Sequence, residues 1–286
     1  MVKKKQELLI KFIAAALAIA LFGVLVFGAK DIDQGTDTSY EVVCLGDSNF
    51  DNVRYESAIT ELLSNKTGKT TFNGGFGGSM MVAPNGRKTQ YQSALSMHSL
   101  AVSISTRNFG VQKSMIGTIN GMSGTQNYEA TFNALQNIDF DEVEVLIIEH
   151  GVNDYLQGVP IKNGTDPYDT STFCGTIRSV VTMLREEYPN MRIILVTPAY
   201  CAPTAPDGSY RYCDETSYGG GYLEEYVNAE LLVAEEMGVE IVDLYHLLDM
   251  NKENLETYLF DGLHYNEYAR EAVADILAEC LLGEAE

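Results

Sequence analysis

Short apolar runs typical of buried strands alternate along the chain with longer amphipathic stretches typical of helices. Val143–Glu149 is such a run, and its β-branched residues favour a strand that is covered on both faces. Ser171–Glu187 instead repeats apolar residues every three or four positions, which predicts a helix. The predicted order is strand Tyr40–Leu45, helix Val53–Ser64, strand Thr70–Phe72, strand Val143–Glu149, helix Ser171–Glu187, strand Arg192–Thr197, helix Leu223–Met237, strand Glu240–Asp243 and helix Glu267–Leu282. This alternation predicts an α/β domain in which helices cover both faces of a mostly parallel sheet.

Two stretches interrupt the alternation and are too long for ordinary connections. Ser79–Asn127 is rich in Ser, Gly, Met and Asn, whereas Ala199–Gly221 is rich in Tyr and Gly and ends in three consecutive glycines. Long loops in compact domains are often lids or binding loops, and they are as often variable surface insertions. The pattern leaves both interpretations open.

The N-terminus has a different pattern, because Leu8–Phe27 is apolar apart from Lys11. This run approaches the roughly 20 residues that a helix needs to cross a bilayer, and the basic cluster before it indicates a cytoplasmic start. We therefore expect a single-pass protein of the cell membrane, with a short cytoplasmic basic segment (1–7), a transmembrane anchor (8–29), a linker (30–39) and an extracytoplasmic domain (40–286). A cleaved signal peptide, which gives a secreted domain, is the alternative, but the run is long for one and lacks a small-x-small cleavage site.

Charge and cysteine content narrow the classes of partner. The chain has 40 acidic against 19 basic residues and a net charge of −21, so it repels phosphate backbones and no nucleic-acid partner is expected. The five cysteines form no C-x-x-C pair and have no metal-ligand spacing, and we expect neither a metal nor another cofactor. Cys201 and Cys213 bracket a turn-rich stretch. They can form a disulfide or remain two free thiols, and the sequence leaves both alternatives open.

Polar clusters follow the predicted strands at the points where each strand ends. They are Gly46-Asp47-Ser48 after the first strand, the glycine-rich turn Asn73–Gly78 after the second, Gly151-Val152-Asn153-Asp154 after the third, and Asp261-Gly262-Leu263-His264 before the last helix. Ligands of open parallel sheets bind at this edge, so the clusters are expected to form one site. A nucleophilic serine needs a base and an acid that orients the base, and Asp261 and His264 can supply both. Glycine turns and an Asn side chain can donate to an oxyanion.

The four clusters in this order resemble the conserved blocks of the SGNH (GDSL-like) hydrolase superfamily. The resemblance implies that Ser48 is the nucleophile, His264 the base and Asp261 the orienting acid. It also implies that the Ser48 N–H, Gly78 and Asn153 form the oxyanion hole, with Gly77 as the next candidate after Gly78. The fold it implies is a three-layer α/β/α sandwich with a flavodoxin-like, parallel, five-stranded sheet.

A second Asp-x-x-His sequence competes for the role of base. Asp243 and His246 follow a predicted strand, but two leucines come after His246, and this apolar context favours a packed histidine. His264 instead lies on a glycine-bearing loop, where a base can move. We therefore expect His264 to be the base.

The expected activity is hydrolysis of an ester through an acyl-serine intermediate. The chain has 17 tyrosines, several of them within Ser209–Tyr226, and aromatic faces can stack on sugar rings. Together with the expected extracytoplasmic location, this favours an O-acetyl or other short acyl ester of a carbohydrate, either a small molecule or a polysaccharide. Acyl transfer to a cell-surface glycan, lipase or thioesterase activity, and a binding module without catalysis are the alternatives.

Overall fold

The computed structural model describes residues 39–84, 93–123 and 128–283, and for 118–123 it describes the backbone alone. Five parallel strands form one sheet in the spatial order β2-β1-β3-β4-β5. The strands are β1 (Val42–Gly46), β2 (Thr71–Gly75), β3 (Val145–Glu149), β4 (Arg192–Val196) and β5 (Glu240–Val242). This order is the flavodoxin-like arrangement, and the prediction of a parallel five-stranded sheet is confirmed.

Helices cover both faces of this sheet. The helices of the described residues are α1 (Ser48–Asp51), α2 (Ile59–Thr67), α3 (Met97–Ser105), α4 (Gly110–Ser123), α5 (Tyr128–Leu135), α6 (Val152–Leu156), α7 (Phe173–Glu187), α8 (Leu223–Met237), α9 (Leu244–Leu247), α10 (Leu255–Tyr258) and α11 (Glu267–Leu282). Because β2 and β4 lie on opposite sides of β1, right-handed crossovers put α2 on one face and α7 on the other. α2 packs against α11, and α7 packs against α3 and α8, which gives three layers.

The carboxyl ends of the central strands lie side by side. Every residue of β1 and β3 is buried, as expected for strands covered on both faces. Gly46 at the end of β1 is in register with Gly75 of β2 and with Glu149 of β3. Neighbouring strands are about 4.8 Å apart, so the segments that leave these three strands begin close together.

The first predicted helix begins later in the structure than the sequence pattern indicates. It spans Ile59–Thr67 instead of starting at Val53, because Arg54 is engaged elsewhere. The Arg54 guanidinium donates to Asp51 and to the carbonyl oxygens of Asn73 and Gly75. These bonds hold residues 52–58 as a turn against the end of β2, which itself runs on to Gly75.

The first irregular stretch contains helices that the sequence pattern does not predict. Within Ser79–Asn127, Ser96 caps the start of α3 by accepting the N–H of Ser99, and α4 follows. Serines and β-branched residues lower the helix propensity of α3, but its buried apolar side chains pack it against α7. The described part of this stretch is therefore largely a helical crossover between β2 and β3, and the prediction of an irregular insertion is wrong there.

The predicted transmembrane segment 8–29 lies outside the described residues. Within the described ranges, no helix combines the length and the apolar composition that a bilayer crossing requires. The anchor therefore stays a prediction.

Cys201 and Cys213, for which two states were open, are both free thiols. Their backbones are paired, because the N–H of Cys213 donates to the carbonyl oxygen of Cys201 at 3.0 Å. The N–H of Cys201 in turn lies 3.4 Å from Sγ of Cys213. The structure thus has the unbridged form, with both thiols buried next to each other.

Candidate active site

Ser48 is the first residue of α1 and comes directly after the turn at the end of β1. Backbone N–H groups in the first turn of a helix have no acceptor within that helix, and the Ser48 N–H is one of these donors. Asp47 caps the turn by accepting the N–H of Asn49 at 3.0 Å. Gly46 is required before it, because a Cβ at that position would lie 2.5 Å from the ring of Phe50. The Gly-Asp-Ser sequence therefore makes a sharp turn that leaves Ser48 partly exposed at the sheet edge.

Asp261, His264 and Ser48 form a continuous chain of hydrogen bonds. Asp261 Oδ1 accepts the backbone N–H groups of Leu263 and His264, at 3.0 and 2.8 Å, which fixes the turn before α11. Asp261 Oδ2 lies 2.6 Å from Nδ1 of His264, and Nε2 of the same ring lies 3.0 Å from Ser48 Oγ. With its proton on Nδ1 directed at Asp261, the imidazole has Nε2 free to accept the hydroxyl proton of Ser48.

The charge of Asp261 suits this arrangement. Burial acts to raise the pKa of Asp261, but the hydrogen bond from His264 and the charge of that ring outweigh it. The pKa is therefore lowered from its ordinary value, and the carboxylate stays ionised at neutral pH. An ionised carboxylate at Nδ1 stabilises the imidazolium that forms when His264 takes up a proton.

The second irregular stretch, Ala199–Gly221, supports the turn that carries Asp261 and His264. The N–H of Ala202 donates to the carbonyl oxygen of Gly262 at 2.7 Å, and Oγ1 of Thr204 donates to that of Asp261 at 3.3 Å. Gly262 has a φ of +82°, and a Cβ there would lie 2.1 Å from the Ala202 carbonyl oxygen. This part of the stretch is therefore a structural support of the site.

Gly78, the first candidate for a backbone oxyanion donor, follows β2 on the same edge of the sheet. Its φ is +75°, a conformation that favours glycine. The N–H of Gly77, the next candidate, already donates to Oδ2 of Asp51 at 2.9 Å. Among the described residues the N–H of Gly78 has no such acceptor, so Gly78 is the better donor of the two.

Asn153 lies in α6, directly after β3, and joins the two turns that precede it along this edge. Its Nδ2 donates to Oδ2 of Asp47 and to the carbonyl oxygen of Ser79, at 3.0 Å in each case. The first bond holds the Ser48 turn and the second holds the Gly78 turn. Because both amide hydrogens have acceptors, Asn153 must release or share one of them in order to bind an oxyanion.

Asp154 is a structural residue that the sequence motif does not single out. Its carboxylate accepts the backbone N–H groups of Met81 and Val82, at 2.8 and 3.0 Å, and so holds the segment that follows Gly78. The side chain is fully buried, and burial raises its pKa to about 7. In the sequence Asp154 is the last residue of the third polar cluster, which assigns it no role of its own.

His150 forms a second serine–histidine contact, but a buried one. Its Nε2 lies 3.0 Å from Oγ of Ser79, and that hydroxyl donates to the carbonyl oxygen of Leu95 at 2.6 Å. His150 must therefore donate from Nε2, and burial lowers its pKa to about 3. A neutral, buried donor cannot take a proton from Ser79.

The competing histidine, His246, also forms an aspartate pair. Its Nδ1 lies 2.7 Å from Oδ2 of Asp243, almost the same distance as in the Asp261–His264 pair. The prediction that His246 is packed is wrong, since 53% of its side chain is exposed. The hydroxyl of Ser48 contacts His264, which is the histidine expected from the sequence.

Glu149, at the end of β3, is an acid buried beside the Ser48 turn. Among the described residues neither of its carboxyl oxygens has a hydrogen-bond partner. Burial, and to a smaller extent the charges of Asp47 and Glu230, raise its pKa well above the ordinary value. Folding therefore favours the protonated form of Glu149.

Replacing Glu149 by Gln is expected to make the free energy of unfolding depend less on pH. A carboxyl whose pKa is raised by folding keeps a proton that the unfolded chain loses, so stability falls as pH rises above the ordinary value of Glu. Each unit of pKa difference between the folded and the unfolded chain lowers the free energy of unfolding by about 1.4 kcal/mol once both forms have lost the proton. Urea unfolding at about pH 5 and about pH 8 should show that the free energy of unfolding falls less between these pH values in the variant than in the parent.

The matched control for this prediction is Glu142→Gln, which alters an exposed glutamate. Its pH dependence is expected to follow that of the parent. Equal pH dependence in Glu149→Gln and the parent would show that Glu149 titrates alike in the folded and unfolded chain, contrary to the prediction.

Comparison with known proteins shows which family the chain belongs to. The model of the GDSL-like lipase/acylhydrolase family matches residues 44–272, which contain all five predicted site residues. The chain belongs to this family.

Individual relatives of this GDSL-like chain are distant. It is 27% identical over 135 residues to an isoamyl acetate-hydrolyzing esterase 1 homolog of Bos taurus, a match that covers 46% of this chain and 53% of the relative. The chain thus spans about half the length of the curated relatives it matches.

Two solved structures share the fold. A protein from Lactobacillus plantarum has a TM-score of 0.60 at 17% identity, covering 87% of this chain and 100% of its own. A carbohydrate acetylesterase from Sinorhizobium meliloti has a TM-score of 0.53 at 16% identity, covering 85% of this chain and 98% of its own. At such low identity the likeness shows the fold alone.

Proposed function

We propose that this chain is a serine esterase in which Ser48 is the nucleophile, His264 the general base and Asp261 the acid that orients the base. The observation that carries the proposal is the unbroken chain of hydrogen bonds from Asp261 through His264 to Ser48. It supplies both conditions for an activated serine, a base within reach of the hydroxyl and a third group that holds the base. Family membership supports the same reaction class.

In the proposed mechanism Ser48 Oγ attacks the ester carbonyl carbon while its proton moves to Nε2 of His264. The carbonyl oxygen becomes an oxyanion, which the N–H groups of Ser48 and Gly78 and the side chain of Asn153 bind. The C–O bond of the ester then breaks, and the alcohol leaves with the proton from Nε2. Water hydrolyses the acyl-serine in the same way, with His264 first as base and then as acid.

Replacing Asn153 by Ala is expected to lower kcat by about 10²- to 10³-fold with little change in KM, because an oxyanion donor acts mainly in the transition state. The variant also loses the bonds that hold Asp47 and the Ser79 carbonyl oxygen. Steady-state kinetics on a soluble acetate ester measures the effect. Asn133→Ala, at an exposed position of α5, is the control, and an unchanged kcat in Asn153→Ala would exclude Asn153 from the oxyanion hole.

For the substrate we propose an acetyl or other short acyl ester of a carbohydrate, either a small molecule or a polysaccharide. The names of the relatives, which refer to isoamyl acetate hydrolysis, support a short acyl group. The carbohydrate acetylesterase from Sinorhizobium meliloti, which has the same fold, supports a sugar as the alcohol part of the ester. Ser48, Asp261 and His264 are all partly exposed, which suits a bulky alcohol such as a polymer.

The tyrosines support this proposal less than their number suggests. Within and beside the second irregular stretch, Tyr200 and Tyr226 are buried and serve packing. Tyr218 and Tyr222 are 39% and 45% exposed. Of these four rings, only those of Tyr218 and Tyr222 are therefore exposed enough to stack on a sugar.

We also propose that residues 8–29 anchor the chain in the membrane and that the catalytic domain lies outside the cytoplasm. With residues 8–29 in the bilayer and the basic segment 1–7 inside, the catalytic domain faces the extracytoplasmic side. Membrane fractionation of the full chain and protease treatment of intact cells test this. Recovery of the full-length chain in the soluble fraction would contradict the anchor.

An ester panel that varies the acyl chain and the alcohol separately tests the proposed activity. We expect release of acetate from acetylated glycans and small acetates, with rates that fall as the acyl chain lengthens. Activity on long-chain lipid esters alone would overturn the proposed substrate, and no activity on any ester would overturn the proposed reaction. Products are compared with and without a sugar acceptor, since formation of a new sugar ester would indicate acyl transfer in place of hydrolysis.

A further inference from the structure

Phe260 is an exposed aromatic residue directly beside the base. Its side chain is 62% exposed, although it immediately precedes Asp261. Its ring stacks on the imidazole of His264, with ring centroids 5.6 Å apart and planes inclined by 21°. Stacked aromatic pairs prefer such distances, so the contact is a favourable one. Phe260 therefore presents an apolar surface to solvent next to the atoms that the proposed mechanism uses.

Backbone contacts place Phe260 next to His264. The N–H of Phe260 donates to the carbonyl oxygen of His264 at 3.1 Å, and Leu259 forms a β-bridge with Tyr265. The segment before Phe260 is thus paired with Tyr265, and Phe260 itself is paired with His264. These bonds place the backbone of Phe260 beside His264, and the ring contact is the stack on the imidazole.

The proposed chemistry determines which part of the ester lies near Phe260. The departing alcohol takes its proton from Nε2 of His264, so the alcohol oxygen must lie within hydrogen-bond reach of the imidazole. The acyl carbonyl oxygen points instead to the donors at Ser48, Gly78 and Asn153. A ring that stacks on the imidazole therefore borders the space of the alcohol.

We propose that Phe260 is the binding platform for the alcohol part of the ester and favours alcohols that have an apolar face, such as a sugar or an aryl ring. This inference rests on the proposed function and deepens it by naming the group that selects the alcohol. A flat apolar surface gains from stacking on Phe260, whereas a small linear alcohol leaves most of the ring uncovered. Because the chain carries a net charge of −21 and repels anions, we also expect a neutral alcohol to be preferred to an anionic one.

Phe260 has a second conceivable role, the positioning of His264, and the two steps of the reaction separate the roles. Acylation involves the alcohol, but the acetyl-enzyme no longer contains it. Both steps need a correctly placed imidazole. A platform for the alcohol therefore affects acylation alone, whereas a residue that positions the base affects deacylation as well.

The test uses three esters that share the acetyl group, namely an aryl acetate, an acetylated sugar and ethyl acetate. In Phe260→Ala we expect kcat/KM to fall about tenfold for the aryl and sugar esters and less than about twofold for ethyl acetate. The rate of acetate release from the preformed acetyl-enzyme should stay as in the parent. Phe260→Leu, which keeps apolar bulk without an aromatic face, should lie between the parent and Phe260→Ala.

Tyr268→Ala is the matched control, because Tyr268 is 58% exposed on α11 and its ring pairs with Tyr258. It should leave all three rates unchanged. Equal losses on the three esters, or slower release from the acetyl-enzyme, would overturn the platform and leave the proposed esterase intact. Failure of the parent protein to hydrolyse any of the three would instead contradict the proposed function, and the platform with it.

Discussion

Replacement of His264 by Ala is expected to lower kcat for ester hydrolysis by about 10⁴- to 10⁶-fold, whereas replacement of His246 by Ala should change it less than about twofold. The two histidines have nearly the same local setting. Each follows an aspartate by three residues and approaches it through Nδ1, at 2.6 Å for His264 and 2.7 Å for His246. What differs is the other side of the ring, where only His264 contacts the hydroxyl of Ser48.

This pair of variants therefore compares like with like. An effect that came merely from breaking an aspartate–histidine contact would occur in both variants. Loss of the base occurs only in His264→Ala, because without Nε2 the proton of Ser48 has no acceptor. Steady-state kinetics on an acetate ester, together with thermal unfolding of both proteins, measures the difference. A similar loss of kcat in His246→Ala would contradict the assignment of the base.

The sequence predicts the strands, and the polar residues that follow them, because both depend on local patterns that tertiary structure reinforces. The apolar run Val143–Glu149 contains β3 as the structure has it, and Asn153 follows it within one turn of helix. In a parallel sheet every such strand end lies on one edge, so Ser48 and Asn153, which follow β1 and β3, meet without any signal of pairing between them. Asp261 and His264 instead come after α10 and before α11, whereas the pair that directly follows a strand, Asp243 and His246, is not the one that contacts Ser48. Strand ends alone therefore do not identify the base.

Other features depend on contacts that leave no periodic signal. The start of α2 at Ile59 follows from Arg54, whose guanidinium binds carbonyl oxygens of β2. The exposure of His246 follows from the position of α9 at the end of the edge strand β5, although its leucine neighbours favour burial in the sequence. The stack of Phe260 on His264 is likewise a product of the β-bridge at Leu259. Such features depend on how neighbouring segments pack, which overrides local preference, and no periodic pattern in the sequence predicts them.

Replacement of Ser48 by Ala is expected to abolish covalent labelling by a fluorophosphonate and to lower kcat by up to about 10⁶-fold. Within the described ranges, two serines lie 3.0 Å from a histidine Nε2, namely Ser48 and Ser79. Ser79 donates its proton to a carbonyl oxygen and faces the neutral, buried His150, so it has no base. Mass spectrometry of the labelled protein should therefore find the adduct on Ser48 alone.

Ser79→Ala is the matched control for this prediction. It removes a buried hydroxyl that bonds to His150 and to the carbonyl oxygen of Leu95, so the free energy of unfolding should fall by about 1–3 kcal/mol. Labelling at Ser48 should nevertheless persist, because the Asp261–His264–Ser48 contacts do not involve that side chain. An unlabelled parent protein that is folded by circular dichroism would favour a binding module without catalysis. Labelling that survives in Ser48→Ala would instead assign the nucleophile to another residue. We expect none to survive, because among the described residues only Ser48 contacts a histidine that also contacts an aspartate.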